Sequence, residues 1–76
     1  MYRINKVVMI DTRVLRDTSL SLDAKGLFAI LSALPEKNYT TEELVDICRE
    51  WVKESDGVIK HLLCELMWYG YVDSDI

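Results

Sequence analysis

The sequence has few of the residues from which active sites are built. Its 76 residues include one histidine and two cysteines, and they contain no glycine-rich phosphate loop and no GxSxG motif. His61 has neither a nucleophile nor an orienting carboxylate at a spacing that would make it a general base. We therefore predict that the protein is not an enzyme and takes no cofactor or small-molecule ligand.

Long apolar runs and metal-binding motifs are also missing. The apolar run at residues 7–10 is too short for the core of a signal peptide, and no stretch reaches the roughly 20 apolar residues of a transmembrane helix. Cys48 and Cys64 fall inside helical patterns, which is typical of reduced thiols. His61 and Cys64 share a helix face, but with Cys48 they make three ligands, fewer than a structural zinc site uses. We expect a cytoplasmic protein with no bound metal.

Basic residues are fewer than acidic residues, and the formal net charge is −4. This balance argues mildly against a nucleic-acid partner. The charge is uneven, because residues 1–26 carry a net charge of +2 and residues 27–76 a net charge of −6. A phosphate-binding surface is therefore expected to draw on the N-terminal third, although scattered, solvated charge is the alternative interpretation.

The composition is that of a single globular domain. Half of the residues are hydrophobic and 29% are charged, which is typical of folded rather than disordered chains. The sequence shows no repeat and no interior linker, so we predict one domain over residues 1–76.

The N-terminal part of the sequence predicts a strand and then a helix. "YRINKVVMI" is rich in β-branched and aromatic residues, which favours a strand at Tyr2–Met9. The apolar pair Val14–Leu15 then predicts a short turn held against the core. In "SLDAKGLFAILSALP", Ser21 is the predicted N-cap and Pro35 the stop, and Gly26 predicts close approach by another element. The apolar residues of this helix recur at helical spacing: Leu27, Ile30, Leu31 and Leu34.

Two further helices and a second strand are predicted downstream. Thr40 and Glu43 form a capping box at the start of "TTEELVDICRE", and "WVKES" connects this helix to the next. Ser55 caps the third helix, predicted over residues 55–69, and Gly70 ends it in a left-handed conformation. "YVDSDI" predicts a short strand that pairs with the first one. The buried face of the third helix is predicted to be Ile59, Leu62, Leu63 and Leu66.

The predicted order of elements is strand, helix, helix, helix, strand. This fold class is mainly α with a small β-sheet, the architecture of a three-helix winged helix-turn-helix, whose third helix enters the DNA major groove. The sequence ends at Ile76, where a wing hairpin would turn back, so the wing is expected to be truncated or minimal. Either the chain is a fragment of a longer protein, or it is a small protein without a wing.

Three stretches of the chain carry a resemblance to a known family. "DTSLSLDAKGLFAILSALPEKNYTTEELVDI", "KESDGVIKHLLCEL" and "YGYV" resemble the N-terminal winged helix-turn-helix domains of plasmid and phage replication initiators and DnaD-like replication proteins. The opening of the first helix, Leu20–Leu27, is the most specific part. The resemblance implies a DNA-binding module in DNA replication or transcription regulation, with phosphate contacts from Thr40 and Thr41. It places these residues of the third helix at the groove: Ser55, Asp56, Lys60, His61 and Cys64.

The groove-facing positions differ from those of a strong DNA-reading helix. They contain no arginine, asparagine or glutamine for base readout, and Asp56 stands where a basic residue is common. We therefore expect weak and largely electrostatic binding to double-stranded DNA, with Lys60 and His61 near the bases. The residues expected near the phosphates are Arg13, Arg16, Lys25 and Lys53.

Large apolar residues in the same region predict a second kind of function. Met67, Trp68 and Tyr69 occupy positions that are usually polar, and Trp51 lies in a segment expected to be exposed. Aromatic residues and methionine are enriched at protein interfaces. They either fill the edge of a small core or form an interaction surface. The alternative function is therefore a protein–protein module that forms a homodimer or docks a replication protein, and a two-fold dimer would suit DNA with two half-sites.

Overall fold

The computed structural model describes residues 10–73 and consists there of four α-helices. They are α1 (Thr12–Arg16), α2 (Leu22–Ser32), α3 (Thr41–Trp51) and α4 (Asp56–Trp68). The three predicted helices correspond to α2, α3 and α4. Between residues 10 and 73, no helix has the length and apolar character needed to cross a membrane.

The beginning of each long helix is fixed by a local capping interaction that the sequence predicts. The Ser21 side chain accepts a hydrogen bond from the Ala24 N–H, 3.0 Å away. Thr40 and Glu43 form the predicted capping box at the start of α3, and Ser55 caps α4. The structure confirms these predictions. Capping can be predicted from the sequence because it depends on residues only three positions apart.

The hydrophobic core is organised around α4, which packs against both α2 and α3, while α1 packs against α2. The predicted buried face of α4 is confirmed, since Ile59, Leu62, Leu63 and Leu66 are all buried. Burying each of these side chains contributes about 1.5–3 kcal/mol. The helices around α4 and the link between α1 and α2 add the remaining buried side chains, which are Val14, Leu20, Ala24, Leu27, Leu44, Val45 and Cys48.

The short helix α1 replaces a predicted turn. The prediction that Val14–Leu15 is held against the core is half correct, because Val14 is fully buried but the Leu15 side chain is 44% exposed. Asp11 caps the helix by accepting a hydrogen bond from the Arg13 N–H at 2.9 Å.

The end of α4 is a Schellman motif centred on Gly70. The Gly70 N–H donates to the Met67 carbonyl and the Tyr71 N–H donates to the Leu66 carbonyl, both at 3.0 Å. Gly70 has a φ of +81°, as predicted, which a residue with a Cβ adopts only under strain.

The turn at Gly70 directs Tyr71 and Val72 back onto the helices. The Tyr71 hydroxyl donates to Asp17 Oδ2 at 2.6 Å, and its ring packs edge-on against Phe28 with centroids 6.4 Å apart. Val72 also packs against the core. Tyr71 and Val72, whose residue types favour strands, therefore stabilise the fold through their side chains rather than through backbone pairing.

The predicted fold class, mainly α with a small β-sheet, is wrong. Residues 10–73 form helices, turns and bends and contain no strand, and a winged helix-turn-helix requires a sheet. In the predicted C-terminal strand, residues 71–73 are not extended into a ladder, and residues 74–76 lie outside the described range. The predicted strand Tyr2–Met9 also lies outside it. The described chain is a small all-helical protein.

A second correction concerns Gly26 in α2. The sequence predicts that another element approaches this glycine closely, but a Cβ built there would have no neighbouring atom within 4 Å. Gly26 instead borders a small pocket of about 230 Å³ between α2 and the beginning of α4.

Candidate nucleic-acid interface

The helix α4 presents an exposed stripe on the side away from the core. The 3.6-residue period places five residues opposite its buried leucines and isoleucine, and all five are exposed. We call this stripe the α4 outer face, and it consists of Gly57, Lys60, His61, Cys64 and Trp68.

The helices α3 and α4 form a helix-turn-helix unit in which the four residues 52–55 make the turn. The two helices pack against each other. Lys53 in the turn is exposed and stands next to the beginning of α4. This unit brings Lys53, Lys60 and His61 to the N-terminal half of α4, which is the half that DNA-reading helices use for base contacts.

Both carboxylates of α4 are bound to neighbouring elements. The Arg49 guanidinium donates to Asp56 at 2.6 Å and 3.3 Å and to Asp46 at 2.9 Å. The hydrogen bond from Arg49 holds the pKa of Asp56 below its ordinary value. Glu65 accepts from the Ser21 N–H at 2.8 Å and the Ser21 hydroxyl at 3.2 Å, which ties α4 to the beginning of α2. The α4 outer face therefore carries Lys60 and His61 and no acidic side chain.

The structure places Asp56, which the resemblance puts at the groove, at the first position of α4. It forms an ion pair with Arg49, which Asp46 shares, and its side chain stays 48% exposed. The sequence shows the Asp46–Arg49 pair through its helical i, i+3 spacing. The Arg49–Asp56 contact crosses the turn and has no such spacing, so Arg49 was missed as the residue that pairs with Asp56.

The hydroxyls of Thr40 and Ser55 are used within the protein. Thr40 Oγ1 accepts from the Glu43 N–H at 3.1 Å, the Thr40 N–H donates to Glu43 Oε1 at 3.2 Å, and Ser55 Oγ accepts from the Val58 N–H at 3.4 Å. Thr40 and Thr41 are exposed but border a groove shared with the end of α4, at Met67. The two threonines therefore lie at the other end of α4 from Ser55 and Lys53.

The basic residues between residues 10 and 26 lie on α1 and α2. Arg16 is exposed, and Lys25 is half-buried on α2. Arg13 is exposed, but its guanidinium donates to Asp11 at 2.7 Å and 3.2 Å, which raises the pKa of Arg13 and compensates its charge. Among the three predicted phosphate contacts on α1 and α2, Arg16 is therefore the one best suited to meet a phosphate.

The four large apolar residues predicted as an interface are all exposed and none belongs to the core. Trp68 is 84% exposed, and the exposed fractions of Trp51, Tyr69 and Met67 are 53%, 43% and 38%. Trp51 ends α3 beside the beginning of α4, whereas the others lie at the end of α4, a helix about 20 Å long. They therefore form two surfaces rather than one, and we call Met67, Trp68 and Tyr69 the aromatic end of α4.

Besides Leu15, two further exposed apolar residues were missed by the sequence reasoning. Leu22 is 84% exposed at the first position of α2, and Val58 is 41% exposed on α4. Leu22 lies outside the i, i+3, i+4, i+7 set of its helix, and this offset is the sequence feature that marks it as exposed.

The three candidate soft ligands do not meet. Cys48 is buried on α3, where desolvation raises the pKa of its thiol, while His61 and Cys64 are exposed on the α4 outer face. This separation places Cys48 in the core and the other two at the surface.

Comparison of the chain with protein-family models, with curated proteins and with solved structures found no match. The resemblance to replication-protein domains stays a prediction.

Proposed function

We propose that this protein binds double-stranded DNA through the N-terminal half of α4. The observation that carries the proposal is the composition of the α4 outer face, where the Lys60 ammonium and the His61 imidazole are exposed while Asp56 and Glu65 are hydrogen-bonded to Arg49 and Ser21. A helix-turn-helix unit that exposes a lysine along its second helix, and whose acidic side chains there hydrogen-bond to neighbouring residues, suits the negatively charged walls of the major groove.

The proposed mechanism is insertion of α4 along the groove. Lys60 and His61 lie near base edges, where a lysine can donate to guanine N7 or O6. Gly57 and Cys64 are small, so the outer face lets the helix backbone approach the DNA closely. Lys53 and Arg16 contact phosphates, which position the protein without reading sequence.

The charge of the whole chain sets the expected strength of binding. A net charge of −4 opposes approach to DNA, so binding is weak and strongly salt-dependent. The resemblance to replication-protein domains supports a role in plasmid or phage replication initiation or in transcription regulation. The two free cysteines support a reducing, cytoplasmic setting.

A pair of charge-matched variants tests the proposal. Lys60→Glu reverses a charge on the α4 outer face, whereas Lys37→Glu reverses an exposed lysine in the connection before α3. Fluorescence anisotropy with a labelled duplex should show roughly tenfold weaker binding for Lys60→Glu and a much smaller change for Lys37→Glu. Equal losses in the two variants would mean that only the net charge matters, and the proposed interface would be wrong.

A second function is favoured by the aromatic end of α4. Trp68 is 84% exposed, and tryptophan is among the residue types enriched where proteins bind one another. We propose that this end forms a homodimer or docks a replication protein. Trp68 lies more than two helical turns beyond Lys60 along α4. DNA contacts at the N-terminal half of the helix and protein contacts at its C-terminal end are therefore compatible.

A further inference from the structure

An open groove of about 1070 Å³ lies apart from the α4 outer face. It runs between the C-terminal half of α2, residues 33–40, the beginning of α3, and the end of α4 with residues 71–73. All of its lining residues are exposed or half-buried except Leu44 and Leu63. We call this surface the acidic groove.

The floor of the acidic groove is apolar. Most of the hydrophobic side chains that pack against the core but stay partly exposed are found here rather than elsewhere in the described chain. These side chains offer apolar area that a ligand could bury at about 25 cal/mol per Å². The six that line the groove are Phe28, Leu31, Leu34, Tyr39, Tyr71 and Val72.

The rim of the groove is acidic. Among residues 10–73, the charged side chains that line it are Glu36, Glu42, Glu43, Asp73 and one basic residue, Lys37. The Lys37 ammonium lies over the Tyr39 ring, 4.9 Å from its centroid. Four carboxylates against one ammonium give these described rim residues a net charge of −3.

We propose that the acidic groove binds a short apolar peptide segment of a partner protein that carries lysine or arginine. Apolar side chains of the segment pack on the floor, and its cations meet the rim carboxylates, as in peptide-binding grooves that combine a hydrophobic floor with opposite charge at the edges. The same rim repels phosphate groups, so this surface is unsuited to nucleic acid. The inference does not depend on DNA binding, because the groove and the α4 outer face are separate surfaces.

Two synthetic peptides test the charge preference. One is a fluorescein-labelled octapeptide of alternating leucine and lysine, and the other alternates leucine and glutamate. Fluorescence anisotropy with the full chain should show roughly tenfold or stronger preference for the lysine peptide. Equal binding of both peptides, or binding of neither, would overturn the proposal.

Two double variants locate the site. Glu36→Gln with Glu42→Gln removes two rim carboxylates, and Glu50→Gln with Glu54→Gln removes two exposed carboxylates that do not line the groove. Both change the net charge equally. The first pair should weaken binding of the lysine peptide at least several-fold and the second should leave it nearly unchanged. Equal weakening would reduce the effect to net charge and contradict a groove site.

Nuclear magnetic resonance supplies the location directly. Adding the lysine peptide to ¹⁵N-labelled protein should shift the amide signals of Leu31, Tyr39 and Val72. Shifts confined to the α4 outer face would overturn the proposal. Nuclear Overhauser contacts between residues 2–8 and Leu31 that persist at saturating peptide would also overturn the proposal, because the chain itself would then fill the groove.

Discussion

At the scale of single residues, Tyr71 joins the two ends of the described chain. Its hydroxyl donates to Asp17 in the link between α1 and α2, and its ring contacts Phe28 on α2. The hydrogen bond from Tyr71 is the largest cause that lowers the pKa of Asp17, and the same bond raises the pKa of Tyr71. Both shifts have the sign expected when a phenol donates to an ionised carboxylate.

Removing the Tyr71 hydroxyl should therefore be visible at Asp17. In Tyr71→Phe, we expect the pKa of Asp17 to rise toward the ordinary value of about 3.9, while Tyr69→Phe, which removes an exposed hydroxyl, leaves it unchanged. A depressed folded-state pKa stabilises the fold above the unfolded-state pKa, and this contribution is lost as the pH falls through the folded-state pKa. Tyr71→Phe should thus lose stability near neutral pH and less in strong acid.

Carboxyl chemical shifts measured by nuclear magnetic resonance as a function of pH check the first expectation, and thermal unfolding near pH 7 and near pH 2 checks the second. An unchanged titration of Asp17 in Tyr71→Phe would show that the 2.6 Å contact does not persist in solution.

Residue-scale contacts are also where the sequence reasoning fails for the candidate site. The exposure of Trp68 follows from its helical phase, but the compensation of Asp56 by Arg49 depends on how α3 and α4 are oriented at the turn. No local pattern shows that orientation. The acidic residue that argues against DNA binding in the sequence is therefore paired with an arginine in the structure.

At the scale of helices, local rules predict where α2, α3 and α4 begin and where α4 ends, whereas α1 was predicted as a turn and α2 ends at Ser32, before the predicted stop at Pro35. The caps at Ser21, Thr40 and Ser55 and the left-handed Gly70 are all predicted, because each depends on residues within one or two turns. The sheet is not predictable in this way. Strand formation requires a partner distant in sequence, and Tyr71 and Val72 pack on the helices instead.

Two glycines should respond in opposite ways to the same substitution. Gly26 lies inside α2 with open space around its Cβ position, so Gly26→Ala should raise the free energy of unfolding by about 1 kcal/mol. Gly70 has a φ of +81° in the Schellman motif, so Gly70→Ala should lower it by about 1–2 kcal/mol.

Urea unfolding followed by circular dichroism measures both changes. A destabilising Gly26→Ala would show that another element does approach α2 at this position. A neutral Gly70→Ala would show that α4 ends differently from the motif described above.

At the scale of the whole molecule, three surfaces are distributed around α4. Its N-terminal half exposes Lys60 and His61, its C-terminal end exposes Trp68, and its Leu63 and Met67 border the acidic groove. One helix thus serves as the centre of the core and as the boundary of each candidate interface. The sequence predicts the composition of these surfaces, but their separation depends on the packing of α2 and α3 around α4.

We expect the aromatic end of α4 to mediate self-association, and we expect Trp68 to contribute most to it. Trp68 and Leu22 are equally exposed, at 84%, so truncating either to alanine removes a similarly exposed apolar side chain. We expect Trp68→Ala to raise the dimer dissociation constant by roughly 30-fold, as for an interface hot spot of about 2 kcal/mol, and Leu22→Ala to change it little.

Sedimentation equilibrium gives the mass, which for the dimer is twice the 8.8 kDa of the chain. A monomeric wild-type protein, or equal effects of the two substitutions, would rule out the aromatic end as a dimer interface. Far-ultraviolet circular dichroism should be unchanged in Trp68→Ala because this side chain is outside the core.

The central claim is DNA binding by the α4 outer face, and the salt dependence of duplex binding tests it most directly. Fluorescence anisotropy with a labelled mixed-sequence duplex should show binding at about 50 mM salt that weakens roughly 10- to 40-fold at about 200 mM, as for two or three phosphate contacts. Binding that does not change with salt, or none at the lower salt, would contradict the claim and leave the aromatic end of α4 as the functional surface.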